Sequence, residues 1–120
     1  MASYTTEVLR DIAYALRKFQ EFRPEAAEKF QAFLDASLKT GVLDARTKEL
    51  VVVGIAVALR CEPCIVLHIK KALEAGAKPE EIADAISLAI LMGGGPVATT
   101  SSKAFKALEE LAKKMEKKQG

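Results

Sequence analysis

The chain has no tryptophan, no asparagine, three glutamines, one histidine and two cysteines among its 120 residues. The missing amides fit a heat-adapted source. Net charge is only +2, so composition gives no support to nucleic-acid binding. The positive charge is local: residues 103–118 hold six Lys and three Glu, which leaves about −1 for the remainder. That block reads as the solvated face of a basic C-terminal helix. No long hydrophobic run is present. Residues 50–59 are too few to span a bilayer, and residues 85–98 are broken by Gly93-Gly94-Gly95-Pro96. The first twenty residues lack an apolar signal core and carry acidic side chains, so no secretory or transit segment is expected. The expectation is a cytoplasmic protein with no membrane partner. There, a close cysteine pair points to redox chemistry or metal binding rather than to a structural staple.

Half of the residues are hydrophobic, yet only 6% are aromatic. Ala, Leu, Glu and Lys dominate, as in helical proteins. The spacing predicts an all-α fold of about six helices in one compact domain, residues 1–120, with no repeat and no linker. The first helix is expected over residues 5–22, with Val8, Ile12, Leu16 and Phe19 on one face. Pro24 opens the second, with Ala27, Phe30, Phe33, Leu34 and Leu38 facing inward, and Gly41 closes it. Asp44 is the expected N-cap of a third helix, residues 45–60. The fourth starts near Pro63 and ends at Gly76. Pro79-Glu80-Glu81 opens the fifth, with acids at the positive end of the dipole. Gly93-Gly94-Gly95-Pro96 breaks the pattern, and a sixth helix follows over residues 97–117. Two stretches, residues 50–59 and 82–92, are apolar almost all round. A domain this small cannot bury both, so a homo-oligomer is expected.

The reactive side chains lie together. Cys61, Cys64 and His68 fall within eight residues. Two cysteines placed at random over this length would fall three apart only roughly once in sixty trials, so the C-x-x-C spacing carries information. Three residues is about one helical turn, which brings two sulfurs within disulfide reach. At a helix start, free N–H groups and the dipole stabilise a thiolate. His68 follows Cys64 by four residues and so shares its face; an imidazole there can carry protons near neutral pH. Glu49, at the edge of an apolar run, is either a first-turn carboxylate or a group held by a specific partner, with His68 the candidate. Glu62 reads as solvated. The two Tyr and five Phe read as core or interface packing, some of them able to line a pocket mouth.

Glu49, eleven residues, Cys61-Glu62-Pro63-Cys64, three residues, then His68 resembles the AhpD-like alkylhydroperoxidase signature of the carboxymuconolactone decarboxylase family. The following "ALEAGAKPEEIADAI" is similar to that family's helix–turn–helix. The resemblance covers about residues 25–110. It implies an AhpD-like all-helical fold, assembly as trimers or hexamers, and dithiol peroxidase or disulfide-reductase chemistry with no cofactor. It also implies the roles. Cys64 attacks a hydroperoxide, Cys61 donates a proton and then resolves the sulfenic acid as a disulfide, and Glu49 and His68 relay the proton. An external thiol donor then restores the pair. AhpD-type members often have His just before the second cysteine, where this chain has Pro63.

Other readings stay open or fail on residues. A lactone decarboxylase of the same family does not need the cysteine pair. A zinc site could draw on Cys61, Cys64, His68 and Glu49, and a redox sensor could use the dithiol without turnover. A c-type haem is excluded because Ile65 follows Cys64. The thioredoxin fold is excluded because no βαβ pattern surrounds the pair. Residues 92–102 lack Gly-Lys-Ser/Thr and form no P-loop. With the only His beside the cysteines, no serine hydrolase can be built.

Overall fold

The computed structural model describes residues 1–39 and 41–119. They form six helices: α1 (Tyr4–Phe22), α2 (Pro24–Lys39), α3 (Ala45–Ala58), α4 (Glu62–Glu74), α5 (Pro79–Thr100) and α6 (Ser102–Gln119). The local signals act as expected at most ends. Ser3 caps α1, its hydroxyl accepting from the Thr6 N–H. Arg23 leaves helical geometry because Pro24 follows it. Asp44 caps α3, with the Thr47 N–H 2.7 Å from its carboxylate. The Lys78 N–H donates to the Glu81 carboxylate at 2.9 Å at the start of α5.

Two helices end in the same hydrogen-bonded turn. After α4, the Gly76 N–H bonds to Leu73 and the Ala77 N–H to Ala72, with Gly76 at φ 96°. After α3, the Arg60 N–H bonds to Val57 and the Cys61 N–H to Ala56. The left-handed position is there filled by Arg60, at φ 57°. Glycine is the usual occupant, because a Cβ is strained in that conformation.

α3 packs against α4 and α5, and α4 packs against α6. Their shared core is aliphatic: Val53, Val57, Val66, Ile69, Ile82 and Ile86 are fully buried. Each such side chain contributes about 1.5–3 kcal/mol of burial. α1 lies against α4 and α6, and α2 against α1 and the edge of α3.

One expectation is corrected. α2 has no fully buried residue: of the face expected inward, Ala27, Leu34 and Leu38 are half-buried, but Phe30 and Phe33 are 45% and 66% exposed, because α2 packs mainly on α1 and the edge of α3. The fully buried core holds no aromatic side chain. Tyr4 packs against its edge, and Phe19 meets Phe30 edge-on at 6.1 Å on the α1–α2 pair. The glycine–proline segment breaks the helical pattern, as expected. At Gly94 (φ 67°, ψ −152°) the backbone leaves helical geometry, so α5 consists of two helical pieces joined across a kink, the second reaching Thr100 just before α6. Pro96 is tolerated because it lies in the first turn after the kink, where its missing N–H is not needed. By length and composition α5 could cross a membrane, yet its Ile82, Ile86, Ala89 and Val97 belong to the common core.

Candidate functional site

Cys61 is the N-cap of α4, and Pro63 lies in the first turn. The cap residue leaves helical geometry while its side chain takes up a free backbone donor. Here the Cys61 sulfur accepts from the Cys64 N–H at 3.4 Å. The same turn brings the cysteines into a disulfide, with Cα atoms 5.3 Å apart. Both are half-buried. The pair thus sits where the unpaired N–H groups of α4 converge, a place that favours thiolate once the bond is reduced.

One turn further along α4, His68 meets α3. Its Nδ1 lies 2.7 Å from Glu49 Oε1. Glu49 is the fifth residue of α3, beyond the first turn, and is 7% exposed. The first-turn alternative therefore gives way to the specific partner. A carboxylate only accepts, so Nδ1–H is the donor and Nε2 is left free to take or give a proton. The ring is fixed from behind by a nearly dry group. The four residues read from sequence thus form two pairs on successive turns of α4: the Cys61–Cys64 disulfide at its start and, one turn on, His68 bonded to Glu49 of α3.

Glu62, between the cysteines, is not simply solvated. The Tyr4 hydroxyl donates to its carboxylate at 2.6 Å, and the Lys103 ammonium lies 3.8 Å away. Burial first, and then the Glu62 carboxylate, push the Tyr4 phenol well above its usual range. The first turn of α1 is fastened alongside. Lys114 donates to the hydroxyls of Ser3, Thr5 and Thr6 at 2.8, 3.1 and 3.0 Å. Sequence reading missed Tyr4, Lys103 and the strained Arg60. Tyr4 and Lys103 join Glu62 only through packing, with no local pattern to mark them.

Two surfaces flank the site. An open cleft of about 600 Å³ runs along α1 past Val8, Ile12 and Tyr14 to Glu62 and Pro63. A more apolar groove, about 540 Å³, lies between α3 and α5 and contains none of the four site residues. Its side chains Val51, Ile55, Leu88 and Met92 are 49–83% exposed. Among the described residues, no group of three or more His, Cys, Asp or Glu is arranged to hold a metal. The two sulfurs are bonded to each other here and offer no thiolate ligands.

Known proteins share both fold and sequence. An uncharacterised protein of Cupriavidus necator is 37% identical over 89 residues, covering 74% of this chain and 79% of its own. An uncharacterised protein from the cox locus of Paracoccus denitrificans is 36% identical over 84 residues, 70% of this chain and 76% of its own. The crystal structure of a Legionella pneumophila carboxymuconolactone decarboxylase family protein superposes with a TM-score of 0.85 at 34% identity, over 92% of this chain and 98% of that one. A Thermotoga maritima member, for which a part in the antioxidative response has been suggested, gives 0.80 at 31% identity, over 92% and 93%. The carboxymuconolactone decarboxylase family model matches residues 24–110, the segment that carries α2 to α5, the disulfide and the Glu49–His68 pair, and the chain belongs to that family.

Proposed function

We propose that the protein is a dithiol peroxidase or disulfide reductase of the AhpD-like type. One observation carries the reading: a disulfide caps α4 one turn before a histidine whose ring is held by a buried carboxylate. That arrangement joins a nucleophile, a resolving thiol and a proton carrier. The suggested antioxidative part of the Thermotoga maritima relative points the same way.

In the reduced form the Cys64 thiolate attacks the terminal oxygen of a hydroperoxide. The S–O bond forms, the O–O bond breaks, and the alcohol leaves with a proton supplied by Cys61 or by the Glu49–His68 pair. Cys64 becomes a sulfenic acid. The Cys61 thiolate then attacks the Cys64 sulfur, the disulfide forms, and the oxygen leaves as water after taking a second proton. An external thiol donor restores both thiols by exchange. The residues need no cofactor for these steps. Cytoplasm is the compartment that suits such a cycle, because thiol donors are kept reduced there.

A second copy of the chain is the proposed partner. Two exposed apolar surfaces, the α3–α5 groove and the exposed Phe30 and Phe33 of α2, favour trimers or hexamers over a monomer. The proposal needs no nucleic acid and no membrane.

The family's name supports a second reading, decarboxylation of a lactone acid. The two are separated by a single-turnover assay on reduced, metal-free protein. Organic hydroperoxide is added, and free thiols and intact mass are followed for the parent, Cys61→Ser and Cys64→Ser. The expected parent loses two thiols and gains one internal disulfide, and Cys61→Ser traps one added oxygen at Cys64. Thiols that survive peroxide, or react only as free cysteine does, overturn the peroxidase reading. Lactone turnover that persists with both cysteines changed to serine establishes the decarboxylase.

A further inference from the structure

Glu62 puts a carboxylate into the first turn of α4, beside the sulfur that caps the same turn. A carboxylate and a thiolate both draw on the positive end of one helix, and they repel each other. Unopposed, Glu62 would raise the proton affinity of the dithiol. Its carboxylate is, however, met from two other helices. Tyr4 on α1 donates to it at 2.6 Å, and Lys103 on α6 stands at 3.8 Å. Tyr4 is itself held in place, because its neighbours Ser3, Thr5 and Thr6 are bonded to Lys114 and the Thr5 N–H to Glu110.

We propose that Tyr4, Glu62 and Lys103 form a set of positioning residues that adjusts the thiol acidity of Cys61 and Cys64. The inference rests on reading the cysteines as a cycling dithiol. Lys103 offsets the Glu62 charge, and the Tyr4 hydroxyl binds the carboxylate and fixes where it points. Both act through Glu62. The other groups around this turn are Asp11 of α1, which lines the cleft with Glu62, Glu110 of α6, which acts on Tyr4, Glu49 of α3, His68 of α4 and Arg60 in the preceding turn. They are common to every variant below and drop out of the comparison.

The test measures iodoacetamide alkylation of the fully reduced protein against pH, for the parent, Glu62→Gln, Tyr4→Phe, Lys103→Met and the double variant Tyr4→Phe/Glu62→Gln. Glu62→Gln should react about threefold faster at pH 7, with its profile moved to lower pH. Lys103→Met should react about threefold slower, and Tyr4→Phe should slow in the same direction by less. In the Glu62→Gln background, Tyr4→Phe should change nothing. A merely structural Tyr4 would lower the melting temperature and leave the profile in place. Coincident profiles for parent and Glu62→Gln overturn the proposal, and so does a Tyr4→Phe effect that persists without the Glu62 charge. If Tyr4→Phe does not fold, Glu62→Gln and Lys103→Met decide. No peroxide enters the measurement, so a failure here is separate from a failure of the peroxidase reading.

Discussion

His68 Nδ1 and Glu49 Oε1 lie 2.7 Å apart, although the residues stand on different helices and 19 positions apart in the chain. Glu49 is buried beyond the reach of its own helix end, so the bond satisfies its carboxylate within the packing, and the proposed proton relay runs through it. Glu49→Gln keeps the shape and one acceptor but removes the charge that fixes the tautomer. Thiol oxidation by hydroperoxide should fall about 10²-fold with a modest change in stability. Glu49→Ala should lose the same rate and in addition about 2–4 kcal/mol. Stopped-flow oxidation and denaturant unfolding measure the two effects; wild-type oxidation rates in Glu49→Gln would remove the relay.

The turns after α3 and α4 allow an internal comparison. Arg60 and Gly76 occupy equivalent left-handed positions. Arg60→Gly should stabilise the fold by about 0.5–1 kcal/mol, and Gly76→Ala should destabilise it by about 1 kcal/mol. At Gly76 a new Cβ meets nothing within 4 Å, so that loss is backbone strain alone. Urea titration of both variants checks the opposite signs.

Gly94 lies in a backbone region open essentially to glycine alone. Gly94→Ala should cost about 1–3 kcal/mol although its Cβ would meet only open space. Gly93→Ala fails for a different reason: its Cβ would run into the side chain of the buried Val97. A Val97→Ala change removes the methyl clash but keeps a Cβ 2.8 Å away, so it should relieve Gly93→Ala in part and leave Gly94→Ala as poor as before. Melting temperatures of the single and double variants separate the two mechanisms.

Acid should weaken the fold. Backbone and hydroxyl hydrogen bonds from Thr47 hold the Asp44 carboxyl below its usual value, and the Lys78 N–H followed by Arg46 does so for Glu81. Burial pushes Glu110 upward, but hydrogen bonds from Ser3 and Thr5 and the charge of Lys114 outweigh it and leave it lowered. A lowered carboxyl stabilises the fold above its unfolded value and loses that contribution as pH falls through its folded one. The melting temperature should therefore drop below about pH 4.5. Glu110→Gln should melt lower at pH 7 and show a shallower drop. Equal slopes in the two proteins would take Glu110 out of the account.

Self-association through the α3–α5 groove predicts that Leu88→Lys, at a position 61% exposed, shifts the mass measured by light scattering toward the monomer and leaves helix content unchanged. An unaltered mass would move the interface to α2.

The sequence by itself determined the helices, most of their ends and the thiol pair. Those features depend on residues within about one turn: Asp44 before α3, Pro24 before α2, and Cys61 and Cys64 around Pro63. Backbone propensity and capping decide such short-range geometry before any packing occurs. The all-round apolar stretches also announced that some of their surface would stay outside the core. Tertiary structure alone decided which partner Glu49 takes, that Tyr4 binds Glu62 from 58 residues away, and that Phe30 and Phe33 of α2 stay exposed. A periodic pattern states that a face is apolar. It does not state which helix meets that face or at what angle, and the contacts that complete this site arise from the packing of α1, α3 and α6 around the start of α4.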